Sequence, residues 1–555
     1  MLALLVIVAV GAAAAVYALG GSSALKDDGP DAITPARRFA TAWADGNLRA
    51  MYRELSPGAR DQWSFTRFRA AYARSEQVAT MRGVRMTGPV SADGAVARVR
   101  MRAGTKLFGP VDGVLSIPLT ETAGRYAVDW SRSLTFPGLQ PGETLRRAVR
   151  EPTRRGAILS HDRQVLARGP ATAREYPQGT AFAVITGFVG TPQTGAEILA
   201  RRSTGWAATT PYGKGGLEES LDAALGGKPR IRLEALGEAS PRVVATRAGR
   251  APHDVVTTLS VPVQQIATDA LNGLQGGIVV MDARTGAVRA SAGIGMDGRQ
   301  PPGSTFKIVT AAAALASGTV TPESYWEPAH YVQLGGFRLR NFRGELCGGT
   351  LTEAFAHSCN SAFAPIAIDT GAERMVEMSQ RFGFNRSPGL AYPAMESFVP
   401  RQSLLNSDLD LGVAGIGQGG VVATPMQMAS VAQVIAAGGV RHPPWISRLP
   451  KKRSDRKDKE RVISPSVAAT LNSMMQAAVS YGTGIQATGG YASMAGKTGT
   501  AEVGEGVKAD AWFAGYSPAT APKLAIAVLI VHGGVGGEVA APIARDVMSA
   551  ALQAP

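Results

Sequence analysis

The sequence predicts a multidomain α+β protein whose C-terminal domain is an antiparallel sheet covered by helices on both faces. At 555 residues, the chain is long enough for several domains. Within residues 255–553, the two strands of a predicted hairpin come before residue 300 and three strand-like segments come after residue 490, with helical sequence between and after them. Near the N-terminus, helical patterns precede alternating strand-like segments, which indicates a smaller α+β domain.

Hydrophobic periodicity places the individual elements. In the smaller domain, at residues 33–138, it predicts helices at 35–44 and 48–55 and strands at 95–101, 113–119 and 125–130. Between the domains, at residues 139–254, it predicts a hairpin within 156–167 and a short helix through residue 225. In the C-terminal domain it predicts a strand at 255–259, a helix at 261–274, a hairpin of 277–282 and 287–292, and strands at 494–501, 511–516 and 524–531. The mixed-charge run at 450–461 predicts an exposed loop.

The first apolar segment, Leu2 to Leu19, has no charged residue and is just long enough to cross a bilayer. No basic residue precedes it and no cysteine follows it, which disfavours a signal peptide and a lipoprotein anchor. We therefore expect an uncleaved single-pass membrane anchor at residues 1–20, a linker at 21–32, and the remainder outside the cytoplasm.

The composition is that of a globular protein with an excess of basic residues. The chain is 45% apolar and 18% charged, with a net charge of +15. Zinc-ligand spacing, a basic helix and aromatic-basic motifs are absent from the sequence, so we expect no nucleic-acid partner. An anionic surface, such as lipid headgroups or cell-wall polymer, fits the charge better.

One serine lies beside a lysine in a context that can hold both. Residues 301–303, Pro-Pro-Gly, predict a turn, and the sequence from Ser304 onward suits an alanine-rich helix. Ser304 and Lys307 then share a helix face, where a neutral amine can take the proton of a nucleophilic serine. The same spacing begins at Ser23 and Ser454, but only Ser304 begins a long apolar helix.

Two further segments supply polar groups. Ser358-Cys359-Asn360 lies between two apolar helical stretches and offers a hydroxyl and an amide, with a simple helix cap as the alternative. Lys497-Thr498-Gly499-Thr500 lies in a predicted strand, where a lysine and two hydroxyls suit a carboxylate and a glycine lets a ligand approach the backbone. If this strand lies at a sheet edge, it can pair with an extended peptide; the alternative is a glycine turn with a solvated lysine.

Taken in order, Ser304-x-x-Lys307, Ser358-x-Asn360 and Lys497-Thr498-Gly499 resemble the three motifs of penicillin-recognising serine enzymes. The chain is also similar to the transpeptidase family at residues 415–419, 424–429, 482–484 and 512–515. Residues 154–167 and 213–218 resemble segments of the pedestal domain of class B penicillin-binding proteins, and residues 33–138 resemble an NTF2-like domain. We see no glycosyltransferase-like domain, which favours class B.

The resemblance implies five segments: an anchor at 1–20, a linker at 21–32, an NTF2-like domain at 33–138, a pedestal or dimerisation domain at 139–254, and a β-lactamase-like transpeptidase domain at 255–553. It implies a serine D,D-transpeptidase that cross-links peptidoglycan stem peptides through an acyl-enzyme and is acylated by β-lactams at the same serine. It implies no metal or cofactor. A SEDS-type glycosyltransferase or another cell-wall synthase is the partner that it implies.

The resemblance also assigns roles to the motif residues. Ser304 is the nucleophile and Lys307 the base, while Ser358 relays a proton and Asn360 orients the lysine and the substrate amide. The N–H groups of Ser304 and Thr500 hold the oxyanion. The substrate carboxylate is bound by Lys497, Thr498 and Thr500 beside the open backbone at Gly499.

Three other functions are weighed against this one. A β-lactamase is disfavoured because Cys359 replaces an aspartate and no Glu-x-x-x-Asn segment is placed to activate water. A D,D-carboxypeptidase uses the same acyl-enzyme and stays open. A β-lactam sensor would need a cytoplasmic signalling part, for which the sequence shows no segment before Leu2, and a non-catalytic division scaffold would not need an intact Ser304 and Lys307.

Two cysteines, Cys347 and Cys359, lie twelve positions apart. Two ligands cannot form a structural zinc site, which takes four. Outside the cytoplasm the pair either forms a disulfide or remains as two buried thiols. None of the six histidines has a ligand-like partner in the sequence, and His357 is predicted to be structural.

Overall fold

The computed structural model describes residues 31–390, 392–447 and 459–554. Helices α1 to α17 span Ile33–Ala44, Leu48–Arg53, Pro57–Gln62, Phe65–Ala79, Thr180–Thr186, Gly195–Thr204, Gly216–Ser220, Asp222–Leu225, Val261–Leu271, Lys307–Ser317, Leu351–Ala356, Asn360–Thr370, Ala372–Phe382, Asp408–Gly415, Pro425–Ala436, Pro465–Ser480 and Ala540–Gln553. Strands β1 to β23 span Met81–Asp93, Val96–Thr105, Gly109–Thr122, Arg125–Val128, Thr144–Arg150, Ile158–Leu159, Val165–Ala167, Phe188–Gly190, Tyr212–Lys214, Arg230–Leu236, Arg242–Arg247, Val255–Val256, Gly276–Asp282, Val288–Gly293, Tyr325–Ala329, Tyr331–Leu334, Phe337–Arg340, Cys347–Thr350, Val440–Arg441, Glu460–Arg461, Ala495–Ala501, Asp510–Ser517 and Leu524–Ile530. The chain forms two compact units, residues 31–148 with 231–247 and residues 149–230 with 248–554.

The first unit combines helices α1–α4 with an antiparallel sheet in the order β1-β2-β3-β4. Side chains of Asn47, Ser56 and Ser64 accept backbone N–H bonds at the starts of α2, α3 and α4, so each helix begins at a capping residue. Buried and more exposed positions alternate along β2, and its buried face packs in one core with the helices. The predicted order of helices followed by a strand meander is confirmed, whereas the NTF2-like assignment stays a prediction.

Several elements of this unit are not predicted from the sequence, among them α4 and β1. Helix α4 carries several charged residues, which weaken its apolar stripe. Strand β1 contains Gly83, Gly88 and Pro89, which normally indicate a turn. Both form because the sheet and the helices bury their inner faces together.

A second sheet of the first unit has the order β11-β10-β5. Residues 231–247 are predicted to belong to the pedestal segment, but the structure groups them with the first unit. The reason is that β10 pairs with β5, far away in the chain, and such long-range pairing leaves no local sequence signal. All the boundaries between the five segments stay predictions.

The pedestal part of the second unit, residues 149–230, is organised around buried charges. Arg155 Nε and Arg174 Nε each lie 2.7 Å from a carboxylate oxygen of Glu218, which is fully buried. Arg155 also lies 2.7 Å from Asp222. The two segments that resemble the pedestal of class B proteins are therefore joined by a hydrogen-bonded ion pair, which satisfies the buried carboxylate. Strands β6 and β7 form the predicted hairpin, although each is only two or three residues long.

The C-terminal part contains a five-stranded sheet in the order β14-β13-β23-β22-β21, in which every pair is antiparallel. Strands β13 and β14 form the predicted hairpin, with Gly286 at a φ of +71° in its turn. The three late strands add to the far side of β13, so β21, which carries the Lys497 segment, lies at the edge. The predicted sheet and its two early and three late strands are confirmed, and the structure places β21 at the edge.

Helices cover both faces of this sheet, as predicted. On one face, Ile278 and Val280 pack in a cluster with side chains of α9 and α17. On the other face, Val279 and Met281 pack in a larger cluster with α15 and α10. The alternation along β13 thus divides the domain into two apolar layers.

Within the described residues, the helices are all too short or too polar to span a membrane. The predicted anchor at residues 2–19 lies outside the described residues. So does most of the predicted loop at 450–461, of which residues 459–461 are described and exposed.

Candidate active site

Ser304 lies in a 3₁₀ turn, Gly303–Phe306, that runs directly into α10. The predicted helix therefore begins three residues later than Ser304. The turn is tightened by Thr305, whose hydroxyl donates to the Pro302 carbonyl at 2.7 Å. Gly303 has a φ of +50° and its N–H donates to the Gly417 carbonyl at 3.0 Å. Since residues i and i+3 eclipse in a 3₁₀ turn, Ser304 and Lys307 lie one above the other.

Lys307 is fully buried and makes hydrogen bonds to both polar residues of the second motif. Its Nζ lies 2.7 Å from Asn360 Oδ1, 2.6 Å from the Ser358 carbonyl and 3.2 Å from Ser358 Oγ. Lys307 Nζ also lies 5.4 Å from the centroid of the Phe363 ring, so an aromatic side chain covers this side of the amine. Burial, and then repulsion from Lys497, hold the pKa of Lys307 well below its usual range.

A neutral Lys307 amine can make all three of these hydrogen bonds. The two carbonyl oxygens can only accept, so Nζ donates to both of them. The Ser358 hydroxyl can donate or accept, so a neutral amine can satisfy all three contacts and direct its lone pair to a hydroxyl proton. Among the described residues, the hydrogen bonds of Lys307 run to the second motif and not to Ser304 Oγ.

The second motif lies at the junction of α11 and α12, as predicted. Ser358 has a φ of +63°, a conformation that costs energy for a non-glycine residue and turns the chain between the helices. Asn360, the first residue of α12, donates from Nδ2 to the Arg340 carbonyl at 2.9 Å, which orients its Oδ1 towards Lys307. The simple helix-cap alternative is not what the structure has, because the Ser358 and Asn360 side chains bond to Lys307.

Cys359, between these two residues, forms a disulfide with Cys347. The Cα atoms lie 5.4 Å apart, and both side chains are buried. Of the two states that the sequence left open, the structure therefore has the disulfide, which ties the second motif to β18.

The third motif lies on the edge strand β21. Lys497 is buried, which lowers its pKa to about 7, and its Nζ lies 3.1 Å from the Thr498 carbonyl. A Cβ atom on Gly499 would lie 2.7 Å from the Pro302 carbonyl oxygen and 3.0 Å from Trp512 Cβ. Only glycine therefore lets β21 approach the Ser304 turn this closely. Thr500 Oγ1 accepts the N–H of Gly536 at 3.1 Å.

Thr483 belongs to the site, although the sequence analysis does not include it among the site residues. Its Oγ1 lies 2.6 Å from Thr498 Oγ1, and its N–H donates to the Ala356 carbonyl at 3.0 Å. Ala356 ends α11, two positions before Ser358. The similarity of residues 482–484 to the transpeptidase family was the available signal, but no feature of the local sequence assigns a contact to it.

No group of three or more His, Cys, Asp or Glu side chains in the described ranges is arranged to hold a metal ion. The ring of His357 packs against Tyr481 with 6.0 Å between centroids. The polar groups gathered at the site are thus a hydroxyl, an amine of lowered pKa, an amide and a hydroxyl-rich strand, which suit acyl transfer through a serine ester.

A serine beside a buried lysine, on a helix packed against an antiparallel sheet, defines a penicillin-recognising serine enzyme. Residues 276–549 match the family described as "Penicillin binding protein transpeptidase domain". The peptidoglycan D,D-transpeptidase PbpA of Mycolicibacterium smegmatis is 32% identical over 447 residues, which are 68% of this chain and 84% of that protein. The chain belongs to the penicillin-binding protein transpeptidase family, in its class B.

Solved structures agree with this assignment. Penicillin-binding protein A from M. tuberculosis, in a penicillin G acyl-enzyme complex, has a TM-score of 0.58 and 29% identity over 72% of this chain and 100% of that chain. PBP2 of Pseudomonas aeruginosa has a TM-score of 0.63 and 26% identity over 73% of this chain and 97% of that chain. The predicted family, the α+β fold class and the serine D,D-transpeptidase activity are confirmed.

Proposed function

We propose that Ser304 is the nucleophile and Lys307 the base of a D,D-transpeptidase that cross-links peptidoglycan stem peptides. The set of hydrogen bonds from Lys307 Nζ to Ser358 and Asn360 supports these roles most directly. It joins the first two motifs around an amine whose pKa burial has lowered. A neutral amine in this position can take the serine proton, which a solvated lysine at neutral pH cannot do.

Acylation then proceeds in balanced steps. Ser304 Oγ attacks the carbonyl carbon of the penultimate D-alanine, and its proton passes to Lys307. The carbonyl oxygen becomes an oxyanion, which the backbone N–H groups of Ser304 and Thr500 stabilise. When the peptide C–N bond breaks, the Ser358 hydroxyl gives its proton to the leaving D-alanine amine and recovers one from Lys307. Asn360 keeps the amine and the substrate amide in position.

The third motif binds the donor peptide. Because β21 is an edge strand, its free side can pair with an extended stem peptide. The hydroxyls of Thr498 and Thr500 bind the terminal carboxylate, and Lys497 adds positive potential when it is protonated. The amine of a second stem peptide attacks the Ser304 ester, so that a new peptide bond forms and the serine regains its proton.

β-Lactams would be expected to acylate the same serine. The M. tuberculosis protein in its penicillin G acyl-enzyme complex is similar over 72% of this chain, which supports this extension. The ring-opened antibiotic retains its carboxylate and occupies the same hydroxyls, while its leaving group stays attached and blocks the second substrate.

We also infer that the protein works at the outer surface of the cell membrane, held by residues 1–20. The uncharged segment from Leu2 to Leu19 supports this location. A polymerase that makes new glycan strands, such as a SEDS-type glycosyltransferase, would supply the substrate. Protease added to intact spheroplasts should digest the chain; protection from digestion would contradict this orientation.

Labelling with fluorescent penicillin tests the nucleophile. The wild-type chain and Ser454→Ala, which alters a second Ser-x-x-Lys match, should label equally, whereas Ser304→Ala should not label. Labelling of Ser304→Ala would contradict the proposal, and rapid release of label from the wild type would identify a β-lactamase. With a stem-peptide donor, transfer to an added amine separates the transpeptidase from a carboxypeptidase, which releases only D-alanine and free acid.

A further inference from the structure

The first unit contains a cavity of about 370 Å³ that the transpeptidase reaction does not use. One wall is a face of α4, on which Arg67, Ala71 and Arg74 recur at helical spacing. Trp63 and Arg132 form the opposite side. This volume falls within the range of small-ligand sites in proteins. We call this the α4 cavity.

The positive charges of the α4 cavity have no counter-charge. In the described ranges, the guanidinium groups of Arg67, Arg74 and Arg132 lie farther than 4.0 Å from every carboxylate oxygen. The carboxylate of Glu143, next to the lining residue Thr144, is already bound by Arg242. Arg67, Arg74 and Arg132 are all exposed, and an anion bound among the three would offset their mutual repulsion.

Arg132 is held in place by an aromatic ring, and its guanidinium donates no hydrogen bond to another described residue. Its guanidinium carbon lies 5.1 Å from the centre of the Trp63 ring, and that ring packs edge-on against Trp130 at 5.0 Å. A stacked guanidinium keeps its in-plane N–H groups available for an acceptor. The aromatic pair therefore orients Arg132 for a ligand.

The net positive charge of residues 31–148 also favours an anionic ligand. Residues 31–148 contain 18 Arg and Lys against 10 Asp and Glu. Such an excess raises the local concentration of anions near the cavity.

We propose that the α4 cavity binds a phosphate group. A phosphate carries at least one negative charge and several acceptor oxygens in a tetrahedral arrangement, which three guanidinium groups can share, whereas a carboxylate offers only two acceptor oxygens in one plane. The phosphate belongs either to a lipid headgroup or to a soluble phosphate ester. This site is independent of Ser304, so its test does not rely on the proposed reaction.

Calorimetric titration of the full chain with inorganic pyrophosphate, at ionic strength balanced with sodium chloride, tests the proposal. We expect saturable binding by the wild type. Arg67→Gln and Arg74→Gln should each weaken the affinity about tenfold, because each removes a charge-assisted hydrogen bond. Arg69→Gln, on the same helix but outside the cavity, should bind as the wild type does. Circular dichroism and an unchanged thermal-unfolding midpoint establish that each variant is folded.

Two results would overturn the proposal: no saturable binding by the wild type, or an equal loss of affinity in Arg69→Gln. The source of the phosphate is read from a second titration with short-chain phosphatidylglycerol below its micelle concentration, against phosphatidylcholine as the neutral control. Binding of phosphatidylglycerol that weakens in Arg74→Gln supports a lipid headgroup. Binding of pyrophosphate alone supports a soluble phosphate ester.

Discussion

The hydroxyl oxygens of Thr483 and Thr498 lie 2.6 Å apart. The backbone of Thr483 at the same time donates to the Ala356 carbonyl at the end of α11, close to Ser358. One short turn therefore contacts both the helix that carries the second motif and the strand that carries the third. If Thr483 donates its proton to Thr498, and not to the Ala356 carbonyl 3.4 Å away, the proton of Thr498 stays free for a substrate carboxylate.

Thr483→Val, which keeps the shape and removes the hydroxyl, should slow acylation by fluorescent penicillin about tenfold. The reason is that one hydrogen bond near a charged group contributes about 1–2 kcal/mol to the transition state. Second-order acylation rate constants measure the effect. Thr488→Val is the control, since that hydroxyl is exposed and bonds only to the nearby Ile485 carbonyl. Equal acylation rate constants for the wild type and Thr483→Val would show that the Thr483 hydroxyl does not contribute to acylation.

The acid side of the pH–rate profile should depend on Lys497. Lys307 acts as a base only when neutral, so the acylation rate rises as the pH increases through its lowered pKa and then levels off. The charge of Lys497 contributes to that lowering. In Lys497→Gln the pKa of Lys307 should therefore rise, and the acid limb should move to higher pH.

The difference in acylation rate between the wild type and Lys497→Gln should itself depend on pH. Because burial lowers the pKa of Lys497 to about 7, its charge is present mainly below neutrality, and the two profiles should differ most there. Rate constants for acylation from about pH 5 to 9 measure it. Lys508→Gln removes an exposed charge from the following loop and should keep the wild-type profile. An acid limb at the same pH in Lys497→Gln would show that Lys497 does not influence the base.

The motifs and the sheet could be predicted because their signals are local. A Thr-Gly turn between two alternating segments predicts the β13–β14 hairpin, and Gly499 in a strand indicates a close backbone approach. The Pro-Pro-Gly sequence before Ser304 indicates a turn that ends regular structure. It does not indicate that the next turn has 3₁₀ geometry. That choice depends on tertiary contacts, in particular the bond from Gly303 to Gly417.

Contacts between distant segments could not be predicted in the same way. The sequence shows Cys347 and Cys359 at suitable spacing, but a disulfide needs their Cα atoms close together, which depends on how β18 packs beside α12. The pairing of β10 with β5 and the contact between Thr483 and Thr498 likewise depend on the final topology. The local sequence of Thr483 is that of an ordinary glycine-rich turn.

Loss of the disulfide should loosen the second motif. Changing Cys347 and Cys359 to serine together should slow acylation about tenfold, because the disulfide anchors the residue between Ser358 and Asn360 to β18 and its loss lets that junction move out of alignment. Treating the wild type with a reductant should give the same rate as the double variant. The reductant should leave the acylation rate of the double variant unchanged. A further fall in the rate of that variant would mean that the effect does not arise from this disulfide.

Gly499 sets the distance between the edge strand and the nucleophile turn. A methyl group in Gly499→Ala would contact the Pro302 carbonyl and the Trp512 side chain at 2.7 and 3.0 Å, so β21 has to move away from Ser304. A displacement of this kind should lower the acylation rate about a hundredfold, because the carbonyl and its oxyanion donors no longer align. Gly504→Ala is the matched control, as its nearest neighbour would be Val507 Cγ2 at 3.6 Å, an ordinary contact. Thermal unfolding of both variants separates lost alignment from lost folding: Gly499→Ala that melts with the wild type but reacts slowly supports this role for glycine, whereas wild-type reactivity would show that the strand has room for a side chain.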